Sequence, residues 1–139
     1  MGSSDEVLQE QTILVVEDAE SIRKLVCAML SHDGYRCLEA SDGAEALKVA
    51  ARADKLHLVI TDVVMPQMGG PELARHLAVM RPEVRILFMS GYTDDPLVHR
   101  VEKMSTIFLP KPFTAAALTN KVRKSLEEPW TGLPETARV

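Results

Sequence analysis

Five times along this chain a short apolar run is followed by a stretch whose apolar residues recur every three or four positions. The runs are Ile13-Leu14-Val15-Val16, the more mixed Tyr35 to Ala40, Leu58-Val59-Ile60-Thr61, Ile86-Leu87-Phe88-Met89 and Ile107-Phe108-Leu109. Runs of that length bounded by turn residues read as strands, and the periodic stretches between them read as helices. Such alternation predicts an α/β domain, a doubly wound parallel sheet of five strands with five helices packed on its faces. Four of the runs lack polar alternation, as strands covered on both sides should. The second, with Arg36 and Glu39 in its pattern, fits a sheet edge.

Local chemistry marks the helices. Ile22, Leu25, Val26 and Met29 give the first an apolar stripe that ends near Asp33-Gly34. Asp42 with Glu45 three positions on is capping-box-like, and Leu47, Ala50 and Ala51 make a face small enough to pack closely on a sheet before the helix ends by Asp54. Pro71 stands at a first-turn position after Gly69-Gly70, with Leu73, Leu77 and Met80 as the stripe and Arg81-Pro82 as the stop. Asp95-Pro96 opens a shorter fourth helix carrying Leu97, Val101 and Met104. Thr114 caps a fifth, whose Leu118, Val122 and Leu126 face the core.

With 139 residues there is room for one domain with a substantial core and none for a second of similar size. Residues 1–11 read as a polar N-terminal extension, 12–127 as the domain, and 128–139 as a tail broken by Pro129, Gly132 and Pro134. Trp130 in that tail either docks on the domain or marks a partner contact. No run approaches the ~20 apolar residues of a membrane span, and no basic, apolar leader opens the chain, so a soluble cytoplasmic protein without membrane contact is expected. A net charge of −4 without clustered Lys or Arg argues against nucleic acid as a ligand. Cys27 and Cys37 have neither zinc-ligand spacing nor a disulfide framework and read as reduced, buried thiols. His32, His57, His76 and His99 are scattered without ligand spacing. Among the methionines, Met65 and Met68 are the two expected to face a partner.

In a parallel sheet the C-terminal strand ends share one edge. Glu17-Asp18, Asp62, Ser90 and Lys111 each follow an apolar run, so they should converge there. Alone, each has a plainer reading: Glu17-Asp18 as a helix cap, Ser90 as a turn residue, Lys111 as a solvated lysine. Four coincident placements favour one joint site. Neighbouring carboxylates raise one another's proton affinity unless a counter-charge intervenes, and hard oxygen donors without paired thiols or imidazoles point to Mg²⁺. A carboxylate can attack phosphorus to form an acyl phosphate, which makes Asp62 the expected nucleophile, with Lys111 and Ser90 stabilising the phosphoryl oxygens.

The segments Ile13-Leu14-Val15-Val16-Glu17-Asp18, Thr61-Asp62-Val63-Val64-Met65-Pro66, Met89-Ser90-Gly91-Tyr92 and Leu109-Pro110-Lys111-Pro112-Phe113 together resemble the response-regulator receiver domains of two-component signalling, over roughly Thr12 to Leu126. That resemblance implies a flavodoxin-like strand order 2-1-3-4-5 and phosphoryl transfer to Asp62 from a phosphohistidine of a sensor histidine kinase or histidine phosphotransferase. It implies Mg²⁺ held by Asp18, Asp62 and the Val64 carbonyl, with Glu17 helping through water, and a cis bond between Lys111 and Pro112. It also implies a switch in which Ser90 moves toward the phosphoryl group and Phe108 turns inward, altering the surface of the fourth helix, fifth strand and fifth helix. Self-phosphorylation and self-dephosphorylation would then be the only chemistry, and a weak homodimer is left open.

Two positions depart from the commonest pattern: the acid pair is Glu-Asp in place of Asp-Asp, and Phe108 stands where many relatives have tyrosine. Met89 to Asp94 is similar to receivers fused behind hybrid sensor kinases, which leaves an excised module and a free-standing regulator as alternatives. A phosphorylation-independent binding module is a third reading. A phosphatase with an aspartate nucleophile is disfavoured, because the acid such enzymes carry two residues later is here Val64.

Overall fold

The computed structural model describes residues 11–91, 95–104 and 107–134. The strands are β1 (Thr12–Val16), β2 (Arg36–Ala40), β3 (Leu58–Asp62), β4 (Arg85–Ser90) and β5 (Phe108–Pro110). They alternate with α1 (Glu20–His32), α2 (Gly43–Arg52), α3 (Gly70–Met80), α4 (Pro96–Glu102) and α5 (Ala115–Glu127). All pairings are parallel and the order is β2-β1-β3-β4-β5, so the sheet is the expected doubly wound one with β2 at an edge. The chain reverses its direction of winding between β1 and β3, which is where open α/β sheets present a crevice.

Strand parity divides the core. Leu14, Val16, Val59, Ile86 and Phe88 pack with Ala46, Leu73, Leu77 and Val98 from α2, α3 and α4. On the opposite face Ile13, Val15, Ile60, Leu87 and Met89 pack with Val26, Leu30, Leu118 and Val122 from α1 and α5. Burying both faces is why β1 and β3 are apolar from Ile13 to Val16 and from Leu58 to Ile60.

The helices form where their caps lie. The Asp42 side chain accepts from the Glu45 N–H at 2.8 Å, while Glu45 Oε1 accepts from the backbone and hydroxyl of Ser41 at 2.6 and 3.0 Å. The reciprocal half of the capping box therefore falls one residue earlier than in the usual motif. Thr114 accepts from the Ala117 N–H at 3.0 Å, and Asp95 from the Leu97 N–H at 2.9 Å.

Several expected facings are rotated. Leu25 is 56% exposed, and Cys27 and Leu30 join Val26 as the buried residues of α1. Ala51 is exposed while Ala46 is buried, Met80 is 42% exposed, and Val98 joins Val101 inside. The physical reason is common to all: a period of three to four fixes the spacing of a stripe but tolerates a shift of one residue, and the tilt of the helix on the sheet selects the phase. Met65 is also buried, its sulfur 4.0 Å from the Thr61 hydroxyl, so it does not face a partner; Met68 is half-buried against the core.

Beyond α5, Arg85 donates to the Glu128 carbonyl at 2.9 Å, Trp130 packs on the core, and Leu133 is buried within it. Docking is thus the role Trp130 plays in the described chain. Residues 1–10, Tyr92–Asp94 and 135–139, on which parts of the terminal and hybrid-kinase expectations fall, lie outside the described residues. No described helix is long and apolar enough to cross a membrane.

Candidate functional site

Register brings the strand-end residues to one level. Val16 pairs with Thr61, Asp62 with Met89, and Ser90 with Pro110, so Glu17, Asp62, Ser90 and Lys111 emerge along one rim of the sheet. Carboxylate oxygens of Glu17, Asp18 and Asp62 lie within 4.8 Å of one another. Lys111 Nζ donates to Glu17 Oε1 at 2.5 Å and to Asp62 Oδ2 at 3.2 Å. Three negative charges thus face one positive charge at the rim.

Backbone amides orient the acids. Asp62 Oδ1 accepts from the Val63 N–H at 3.1 Å, and Glu17 Oε2 accepts from the Ala19 N–H at 3.1 Å. The latter is what remains of the capping reading: Ala19, the N-cap of α1, offers no side-chain cap, and Glu17, 1% exposed, is turned into the cluster instead. Asp18 is exposed and lies on the open side.

The loop after Asp62 is tightly built. Val63 donates to the Met89 carbonyl at 3.0 Å and accepts from the Gly70 N–H at 2.8 Å, while Met68 donates to the Pro66 carbonyl at 2.8 Å across Gln67, whose φ is 71°. This is a three-residue turn with its centre in the left-handed region, a conformation that is costly for a residue with a Cβ. At Gly70 a Cβ would come within 2.4 Å of the Asp62 carbonyl oxygen, so α3 can start this close to the acid only through glycine. The Lys111–Pro112 bond is cis, as expected.

The electrostatics follow from this crowding. Asp62 is pushed up to about 6, first by burial and next by the Glu17 carboxylate, with Lys111 opposing. Burial pulls Lys111 down, but its bonds and attraction to Glu17 and Asp62 outweigh that and leave it above the usual lysine value. At neutral pH Asp62 is therefore mostly ionised and Lys111 charged.

Ser90 and Phe108 stand apart from these contacts. The Ser90 hydroxyl is buried at 5% exposure and donates to the neighbouring Gly91 carbonyl at 3.3 Å. Phe108 is already inside, 7% exposed within the core shared with Val98, Val101 and Ile107. The ring thus already occupies the buried position that the switch expectation gives it, and without a hydroxyl it carries no polar group to keep in water. Val64, whose carbonyl was expected among the metal ligands, is 45% exposed beside Asp62.

Sequence reasoning missed Arg23. Its guanidinium donates to the Glu17 carbonyl at 2.8 Å and to Glu39 at 3.0 Å, tying the acid-bearing loop to α1 and β2. A basic residue one turn into a helix that follows an acid pair was the available signal. Among the described residues no histidine joins the acid cluster, and His57 Nδ1 accepts from the Thr12 N–H at 2.9 Å.

Comparison with known proteins agrees with this geometry. The response regulator receiver domain family matches residues 13–123. The chain is 36% identical over 119 residues to the sensor kinase CckA of Brucella abortus, covering 84% of this chain but only 13% of that protein. It is 32% identical to the response regulator receiver protein CpdR of the same organism, covering 82% of this chain and 95% of the other. The crystal structure of the receiver domain from hybrid histidine kinase CckA superposes with a TM-score of 0.68 at 32% identity, covering 84% of this chain and 99% of that one. With its strand order, its acid cluster and its rim lysine, the chain belongs to the response regulator receiver domains of two-component signalling.

Proposed function

We propose that this domain accepts a phosphoryl group on Asp62 from a phosphohistidine of a sensor histidine kinase or histidine phosphotransferase. The observation that carries the reading is the acid cluster with Lys111 bridging Glu17 and Asp62. Attack by an Asp62 carboxylate oxygen forms a P–O bond as the P–N bond to imidazole breaks, and the departing nitrogen keeps the bonding pair. The Val63 N–H fixes the attacking carboxylate from one side. Lys111 is placed to transfer its hydrogen bond from Asp62 to a phosphoryl oxygen, and Ser90, whose present bond is long, to add a hydroxyl donor.

An all-oxygen set with one exposed member fits Mg²⁺, held by Asp18, Asp62 and the Val64 carbonyl with Glu17 behind them. The ion supplies positive charge for the phosphoryl oxygens when bound. Incubation with acetyl phosphate and Mg²⁺ tests the reading: intact mass should rise by one phosphoryl group, and Asp62→Asn should not. Labelling of that variant at the wild-type rate would overturn the assignment.

A second reading of the output draws on Phe108. Since the ring is already buried, phosphorylation acts more on the Ser90 loop than on an aromatic swing, and a phosphoryl relay with little reshaping of α4, β5 and α5 becomes the natural alternative to a strong switch. Amide chemical shifts of residues 95–118 with and without beryllofluoride and Mg²⁺ separate the two.

A further inference from the structure

On the opposite side of α1 from the solvent, the chain builds a second chemical feature. The connection from α1 to β2 is pinned at both ends: Arg23 Nε bonds Glu39 Oε1 at 3.0 Å, and the Tyr35 N–H bonds the Leu30 carbonyl at 3.1 Å. Between these ties the helix runs against the strand. One helical turn from Arg23 reaches Cys27, a rise of about 6 Å, and two strand residues back from Glu39 reach Cys37, a span of about 6.5 Å. That spacing puts the two cysteines at the middle rung of a three-rung ladder, and each thiol is the other's side-chain hydrogen-bond partner. Cys37 shares its strand face with Glu39, toward α1, and both cysteines belong to the core on that side.

We propose that Cys27 and Cys37 form a redox-active dithiol that closes to an intramolecular disulfide on reaction with a hydroperoxide. Both thiols are free in this structure; Cys27 is buried and Cys37, on the edge strand, is half-buried, which gives a small oxidant a way in. Their environments differ in the manner an attacking and a resolving thiol require. The neighbouring Cys37 thiol, and further off Lys24 and Arg23, hold Cys27 below the usual thiol range against burial and Glu39. Its partnership with Cys27 and its burial push Cys37 far up, so that it remains protonated. The Cys27 thiolate attacks one peroxide oxygen, the O–O bond breaks, and hydroxide (or an alkoxide) leaves, giving a sulfenic acid. The Cys37 sulfur then displaces the sulfenic oxygen, which departs as water with the thiol proton, and the S–S bond forms. The sulfurs together lose two electrons to the peroxide. The bond would fasten α1 to the edge strand one turn below the Arg23 contact that holds the Glu17 carbonyl.

The test uses the whole chain exposed to hydrogen peroxide, quenched with iodoacetamide and digested without reductant. The expected result is loss of two hydrogens from the intact mass, disappearance of both alkylated cysteine peptides, a linked Cys27–Cys37 peptide, and full recovery of two alkylation sites after dithiothreitol. Cys37→Ser should instead stop at a sulfenic acid on Cys27 that dimedone traps, and Cys27→Ala should leave Cys37 unmodified at the same peroxide exposure. Circular dichroism of each variant verifies that it folds. Persistence of both free thiols, oxidation to sulfinic acid without a link, or a disulfide only between two molecules would each overturn the proposal. Phosphorylation of Asp62 is scored separately by mass, so failure there leaves this outcome readable.

Discussion

The Asp62 loop and the Ser90–Phe108 arm share the same rim but are held by different forces. Around Asp62 nearly every polar group has a partner: Val63 N–H to the Met89 carbonyl, Gly70 N–H to the Val63 carbonyl, Lys111 to two carboxylates. The backbones of Ser90 and Phe108 are paired too, Ser90 accepting from the Lys111 N–H at 2.8 Å and Phe108 lying in the β4–β5 ladder, but the Ser90 hydroxyl has one long bond to its neighbour and the Phe108 ring is held by packing. Hydrogen bonds and charges fix direction, whereas apolar contacts fix burial and little else. The half proposed to accept a phosphoryl group is thus held in place by polar bonds, while the side chains of the half proposed to read it out are held mainly by burial.

Substitutions can break this contrast, and the largest effect should fall on the acceptor. Asp62→Asn removes the nucleophile, so phosphoryl incorporation from acetyl phosphate should vanish by intact mass; retained labelling elsewhere at full rate would show that the rim is not the acceptor. Lys111→Met should slow incorporation by about 10²–10³-fold, the usual loss when one preorganised donor to a developing charge is removed. A fall of less than threefold in single-turnover kinetics would remove Lys111 from the chemistry.

Gly70→Ala probes the loop's close approach. Its new Cβ would sit 2.4 Å from the Asp62 carbonyl oxygen, a backbone atom that cannot swing aside. Overpacking of this kind should cost about 1–3 kcal/mol in urea unfolding and slow phosphorylation as well, because the strained atoms belong to the acceptor loop. An unchanged midpoint would mean that the loop is softer than its hydrogen bonds indicate.

Asp62 also links stability to pH. Its carboxyl titrates near about 6 in the fold against an ordinary 3.8, raised first by burial and then by Glu17. Between those values the folded state binds more protons than the unfolded state, so this group adds stability as pH falls and removes it above about 6. Asp62→Asn should therefore stabilise the metal-free protein at neutral pH by roughly 1–3 kcal/mol, with the gain fading below pH ~4. Unfolding curves at the two pH values check the sign; equal gains at both would contradict the linkage. Added Mg²⁺ should raise the wild-type midpoint and leave that of Asp62→Asn nearly still.

The smallest effect is expected at the readout. Phe108→Tyr places a hydroxyl on a ring that is 7% exposed, and should change the phosphorylation rate by less than about threefold, since the ring touches neither acid nor lysine. What should grow is the chemical-shift response of α4 and β5 to beryllofluoride, because the hydroxyl now rewards an outward state that phosphorylation can deplete. An unaltered response would favour the relay reading.

The primary sequence by itself determined the alternation of strands and helices, the edge position of β2, the caps at Asp42, Asp95 and Thr114, and the strand-end placement of Glu17, Asp18, Asp62, Ser90 and Lys111. These are local or periodic signals, set by the immediate neighbours of each residue and by the rule that parallel strands end on one side. Tertiary structure alone decided the rest. It chose Cys27 and Leu30 over Leu25 for the buried face of α1, sank Met65, and drew Arg23 to the Glu17 carbonyl. It put the Phe108 ring inside and brought Cys27 and Cys37 into one apolar cluster. Each of these depends on how one element is tilted or shifted against another, and helix phase, ring direction and cross-element apposition are fixed by the summed packing of the whole core, which no stretch of sequence contains.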